Sequence, residues 1–159
     1  IGAPDASPSL RAALFDPEWP VRAMAAKALG RIHDVESIPG LRAALMDRDW
    51  WVRANAAVAL RRLGPSGIDA LEGALADEDP YARHQACLML EEAGVLDRRV
   101  AQLVAPGSAG VAAEWVVARF VESGLTGRLR EIAATQADER VRLEVARLLG
   151  APAAAESAR

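Results

Sequence analysis

A segment of fifteen residues returns along this chain at nearly constant spacing, and no other feature restricts the possible folds as strongly. DPEWPVRAMAAKALG (16–30), DRDWWVRANAAVALR (47–61) and DEDPYARHQACLMLE (77–91) start 31 and 30 residues apart, and QADERVRLEVARLLG (136–150) starts 59 residues after the third. The gap leaves room for one degenerate copy, GSAGVAAEWVVARFV (107–121). One apolar column reads Leu29, Leu60, Leu90, Phe120, Leu149, and another reads Val21, Val52, Ala82, Ala112, Val141. A period near 30 residues marks a stack of supersecondary units, each too small to bury its apolar face alone.

Each copy is the second helix of a pair. Leu10 and Leu14, Leu41 and Leu45, Leu71 and Leu75 repeat at the i, i+4 spacing of a buried helical stripe. Asp49 and Asp79 stand at N-cap positions, and Pro80 fits the first helical residue. Gly30, Gly64, Gly94, Gly124 and Gly150 are placed to stop the second helices. The composition agrees: 52% hydrophobic but 4% aromatic residues favour close-packed helices over a β-sandwich. The expected fold is all-α, a right-handed α-solenoid of about five two-helix repeats near residues 9–34, 35–64, 65–95, 96–124 and 125–150. These form one domain, 1–150, followed by a disordered tail, 151–159.

The pattern D-x-D-x-x-V-R-x-x-A-A-x-A-L, closed by Gly, resembles the HEAT-like repeat of phycobilisome lyases and many bacterial scaffold proteins, over residues 9 to 150. The resemblance implies that second helices line a concave surface. It also implies that Arg22, Arg53, Arg83 and Arg142 form a ladder with Asp16, Asp47 and Asp77, tying turn to helix and repeat to repeat. The alternative for that arginine row is an anion-binding strip. The fourth copy lacks the ladder residues, so APGSAG (105–110) is the expected flexible joint.

Enzymatic relatives leave no trace. Deoxyhypusine hydroxylases hold a di-iron centre with His-Glu pairs, whereas here His33 precedes Asp34 and His84 precedes Gln85. HEAT-like DNA glycosylases need a basic groove, and this chain carries a net charge of −3. Serine-nucleophile, phosphate-loop and metal-ligand signatures are missing. Cys87 is the only cysteine, which excludes an intrachain disulfide, and its column is otherwise small and apolar. The opening IGAPDASPSL reads as a mature product or an excised domain, with no membrane span in the chain and a cytoplasmic setting.

Columns that repeat are packing, and columns that vary are free to recognise something. The varying stripe on the second helices brings up Lys27, then Trp51, Asn55 and Arg62, then Tyr81 and Gln85, then Trp115. Trp19 and Trp50 stand one column over, where they either join the stripe or cover the neighbouring turn. Indoles bury much area at little rotamer cost, so aromatics beside amides suit a recognition groove. The reading is a non-enzymatic module that binds a partner protein or peptide on its concave face. It expects no catalytic residue, metal, cofactor, nucleic acid or small-molecule substrate. A phycobilin-lyase-like or chaperone-type subunit is the alternative, and nucleic-acid binding comes third.

Overall fold

The computed structural model describes residues 6–150, so the expected tail at 151–159 lies outside the described residues. These residues form ten α-helices and no strand. They divide after Ala93 into two compact units.

The first unit holds α1 (Ser7–Ala13), α2 (Trp19–Arg31), a 3-10 turn (Val35–Ser37), α3 (Ile38–Ala44), α4 (Trp50–Arg62), α5 (Pro65–Ala74) and α6 (Pro80–Glu92). Each short helix packs on the longer one that follows it, and α2, α4 and α6 pack side by side in order. That is the stacking expected of repeats that cannot bury themselves alone. Leu29, Leu60 and Leu90 on the second helices and Leu41, Leu45, Leu71 and Leu75 on the first are fully buried. At about 25 cal/mol per Å² of apolar surface, such leucines each contribute roughly 1.5–3 kcal/mol relative to exposure. The core is therefore aliphatic, and none of the tryptophans belongs to it.

The second unit holds α7 (Val95–Gln102), α8 (Ser108–Glu122), α9 (Gly127–Thr135) and α10 (Glu139–Leu148). Leu96, Val117, Phe120, Leu129 and Val145 fill its interior. Five helix pairs thus follow the five copies read from the sequence, in an α-solenoid architecture.

Several local expectations need correction. Gly30 does not stop α2, which runs to Arg31; the chain turns instead at His33, with φ 55°. Gly30 serves close packing, because a Cβ there would lie 2.6 Å from the Cα of Ala59 on α4. Gly64, Gly94, Gly124 and Gly150 do take positive φ where second helices end. In the Val21 column, Val52, Ala82 and Val141 are buried, but Val21 and Ala112 are exposed. Val21 has no preceding second helix among the described residues. In α8 Ala113, at the place where the other copies carry arginine, is buried instead of Ala112, while Val116, Val117 and Phe120 keep the register of the other copies. Within the stretch 105–110, α8 starts at Ser108.

Candidate functional site

Acidic caps set the first turn of the second helices. The Asp49 carboxylate accepts from the Trp51 N–H at 2.9 Å, and Asp79 accepts from the Tyr81 and Ala82 N–H groups at 2.8 and 2.9 Å. Each cap satisfies donors that the helix cannot pair internally. The cap also fixes the rotation of the turn. With Val52 and Ala56 turned inward, the residues just before Val52 must face solvent.

Trp50 and Trp51 stand there, edge to face, with ring centroids 4.7 Å apart and planes at 76°. Their exposures are 51% and 56%, with 64% for Tyr81 and 42% for Trp19. Arg53 links two repeats: its guanidinium donates to the carbonyls of Asp47 (2.7 Å) and Arg48 (3.2 Å) and lies 4.9 Å from the centroid of the Tyr81 ring. The ring quadrupole attracts the cation, so Tyr81 is held over α4 rather than left to rotate. Asn55 donates from its side-chain amide to the Trp51 carbonyl at 2.9 Å. The outcome is a patch of two indoles, a phenol and a positioned guanidinium on the exposed side of α4 and α6.

The arginine row turns out to be a structural brace. Arg22 is buried and grips Asp47 of the next repeat through Nε (2.7 Å) and Nη2 (2.9 Å), while Nη1 donates to the Asp16 and Pro17 carbonyls. Burial alone would push the Asp47 carboxyl up. The bonds from Arg22 and the Asp49 N–H outweigh it and hold Asp47 below its ordinary value. The same pairing raises the Arg22 guanidinium. Elsewhere the expected Asp–Arg rungs are replaced: Arg83 and Arg142 donate to carbonyls of their own turns, and Asp77 is met by Arg42 from α3 at 2.7 Å. An anion-binding strip has no support in this arrangement.

The remaining expected residues separate. Lys27 and Arg62 are exposed on α2 and α4, whereas Gln85 is buried in α6 and is corrected from surface to interior. Its column reads Met24, exposed, then Asn55, half-buried, then Gln85. The position becomes more enclosed along the stack, which residue variation between copies does not report. Trp115 belongs to the second unit, where it is exposed and stacked by Arg119 at 5.7 Å. Sequence reasoning missed Arg53 as part of the patch, although it follows Trp50 at i+3. It also missed Phe15, exposed beside a groove of about 460 Å³ lined by Leu14, Gly40, Ala43 and Asp47. Among the described residues, no cluster of His, Cys, Asp and Glu is arranged to hold a metal, and no helix is long and apolar enough to cross a membrane.

The chain is similar to three engineered proteins of known structure. One engineered protein is 19% identical, covering 91% of this chain and 78% of that one with a TM-score of 0.42. A second is 18% identical, covering 92% and 80%, TM-score 0.40. The third, one of the computationally designed armadillo repeat proteins for modular peptide recognition, is 21% identical, covering 91% and 80%, TM-score 0.35. No curated protein sequence matches. The family model described as HEAT repeats matches residues 1–61 and 38–119, without distinguishing the phycobilisome-lyase subtype. On that match, the chain belongs to the HEAT-repeat family.

Proposed function

We propose that this protein is a non-enzymatic interaction module that binds a peptide segment or a partner protein on the face carrying Trp50, Trp51 and Tyr81. The observation that supports this most is the placement of large aromatics, more than half exposed, at the starts of successive second helices whose core is complete without them. Leaving an indole in water forfeits a favourable burial of roughly 1.5–3 kcal/mol or more, which a partner recovers on binding. Arg53 and Asn55 are already tied to the scaffold, so their groups meet a ligand with little further loss of rotamer freedom. Trp19 extends the same face on α2, with Lys27 and Arg62 at its far end. Trp115 would add a second contact region on α8.

The test is selection from a random-peptide display library, followed by affinity measurement on the wild type, Trp51→Ala and Tyr81→Ala. Trp51→Ala is expected to weaken binding by about 2 kcal/mol, as truncation of a central interface tryptophan does. Binding should respond weakly to salt, in contrast to the steep dependence of phosphate contacts. Peptides that bind wild type and both variants equally would overturn the reading.

A further inference from the structure

Two neighbouring repeat boundaries in the first unit are built from equivalent residues, yet only one of them is filled. At the second boundary, between α3 and α5, the Arg42 side chain lies against the end of α5. Its guanidinium donates to the Ala70 carbonyl (2.7 Å), the Gly73 carbonyl (3.2 Å) and the Asp77 carboxylate (2.7 Å). At the first boundary, between α1 and α3, the equivalent residues are Gly40, Ala43 and Asp47, and all three line the open groove of about 460 Å³ beside Phe15. The arginine equivalent to Arg42 is Arg11, and it is turned away to Asp34 (3.2 Å) and Glu36. Those two carboxylates account for the difference. Residues 63–68, LGPSGI, offer Arg42 no acid after its own second helix, so it reaches forward to the next repeat.

We infer that this groove binds the side chain of an arginine carried by a segment of a partner protein. It lies between two described repeats, and its lining includes none of Trp50, Trp51 and Tyr81, so it adds a charged anchor without resting on the aromatic patch. The acceptors that Arg42 uses have counterparts here with capacity left. The Gly73 carbonyl takes both the Ala76 N–H and Arg42, and the Ala43 carbonyl, engaged by the Met46 N–H at 3.1 Å, has the same second lone pair. Asp47 accepts two bonds from Arg22, while a carboxylate offers about four lone-pair sites. Leu14 gives the methylene stem an apolar wall, and the exposed Phe15 ring offers a face to a guanidinium. Arg53 over Tyr81 shows the same kind of pairing within the chain.

Charge along this edge of the first unit also favours a cation. Stretches 16–22, 47–53 and 77–83 carry seven carboxylates and four guanidiniums. Of the latter, Arg22, Arg53 and Arg83 are pinned to backbone carbonyls of their own turns, which draws their charge inward. One residue departs from the second boundary: Ala43 stands where Gly73 does. A Cβ at Gly73 would lie 3.1 Å from Arg42 Nη1, so a guanidinium beside Ala43 must sit a few tenths of an ångström farther out. That methyl group tunes the site and supplies its test.

The probe is the blocked tripeptide Ac-Gly-Arg-Gly-NH2, titrated into the isotope-labelled 159-residue chain while backbone amide shifts are followed by NMR. Saturable shifts are expected at Phe15, Gly40, Ala43 and Asp47, with a Kd of about 1–10 mM for a single side chain. The lysine and citrulline counterparts of the probe should bind at least roughly threefold more weakly. An ammonium lacks the planar fork, and citrulline keeps the shape without the charge. Ala43→Gly restores the glycine of the second boundary and should tighten binding. Ala43→Leu, at an exposed position, fills the groove mouth and should weaken binding at least about tenfold, with unchanged helical circular dichroism verifying its fold. Shifts that never saturate or that centre on Trp51 and Tyr81, a lysine probe that binds as well as the arginine one, or two Ala43 variants that both bind like the wild type would each overturn the inference.

Discussion

Leu60 and Trp51 share α4 but face opposite media, so truncating them separates core from surface. Leu60 is fully buried, and Leu60→Ala should destabilise by roughly 2–5 kcal/mol through lost transfer energy and a residual cavity. Trp51→Ala should cost below about 1 kcal/mol in chemical denaturation, since the indole is more than half exposed and stands outside the buried Val52–Ala56–Leu60 stripe. A Trp51→Ala chain as unstable as Leu60→Ala would make the indole a packing residue. Asp47 carries a different signature. Its folded-state value lies below the ordinary 3.8, so its ionised form favours the fold above that pH, and this contribution fades as the pH falls through the folded value. Asp47→Asn leaves Arg22 without its charged partner and should cost on the order of 3 kcal/mol at neutral pH. The gap between the two proteins should narrow below about pH 4, measured by urea denaturation. A gap that stays constant down to about pH 2 would remove the charge from the explanation. The caps were legible at this scale because an N-cap has a chemical signature. The partner of each arginine was not, because a guanidinium donates to carbonyl and carboxylate oxygens alike and only the fold decides which is near.

Helix pairs were the most legible level. Columns of leucine at constant spacing define which side of each helix is inward, and burial follows from periodicity alone. Boundaries were less legible, and Gly30 shows why. Glycine ends a helix when it supplies positive φ, but it also lets two helix backbones approach, and a sequence does not say which is wanted. Here α2 continues past it and crosses α4 tightly. Gly30→Ala should therefore destabilise by about 1–3 kcal/mol, because the clash is with backbone and the helices must shift. Gly127→Ala, at the start of α9 with nothing within 4 Å, serves as the control and should be neutral or mildly stabilising. Thermal melts of the two variants check the contrast. If Gly30→Ala melts with the wild type, the close crossing is not tight in solution.

Across the whole molecule, stability should be unevenly distributed. In a stack of repeats, local stability is close to the sum of each repeat's own contacts and those to its neighbours. The second repeat has an aspartate cap on α4, a nearly buried Arg22–Asp47 pair behind it and the Arg42–Asp77 pair ahead. The fourth has no side-chain cap at Gly107 on α8. Its Arg128–Asp97 and Arg147–Glu114 pairs are far more exposed, and such pairs contribute about 0–1 kcal/mol. Pro106 and Gly107 also place no acidic side chain where the other second helices carry their caps. Much of this was readable from the missing ladder residues. The exception is Gly110, whose added Cβ would strike the Ala105 carbonyl, so that glycine anchors the link by close approach. Amides exchange through local openings whose free energy reflects these deficits. Hydrogen exchange over residues 100–122 should accordingly outpace that over residues 41–63, read peptide by peptide under native conditions. Equal protection in the two stretches would mean that the chain opens as one cooperative body, and that the lost caps and pairs of the fourth repeat are replaced by packing.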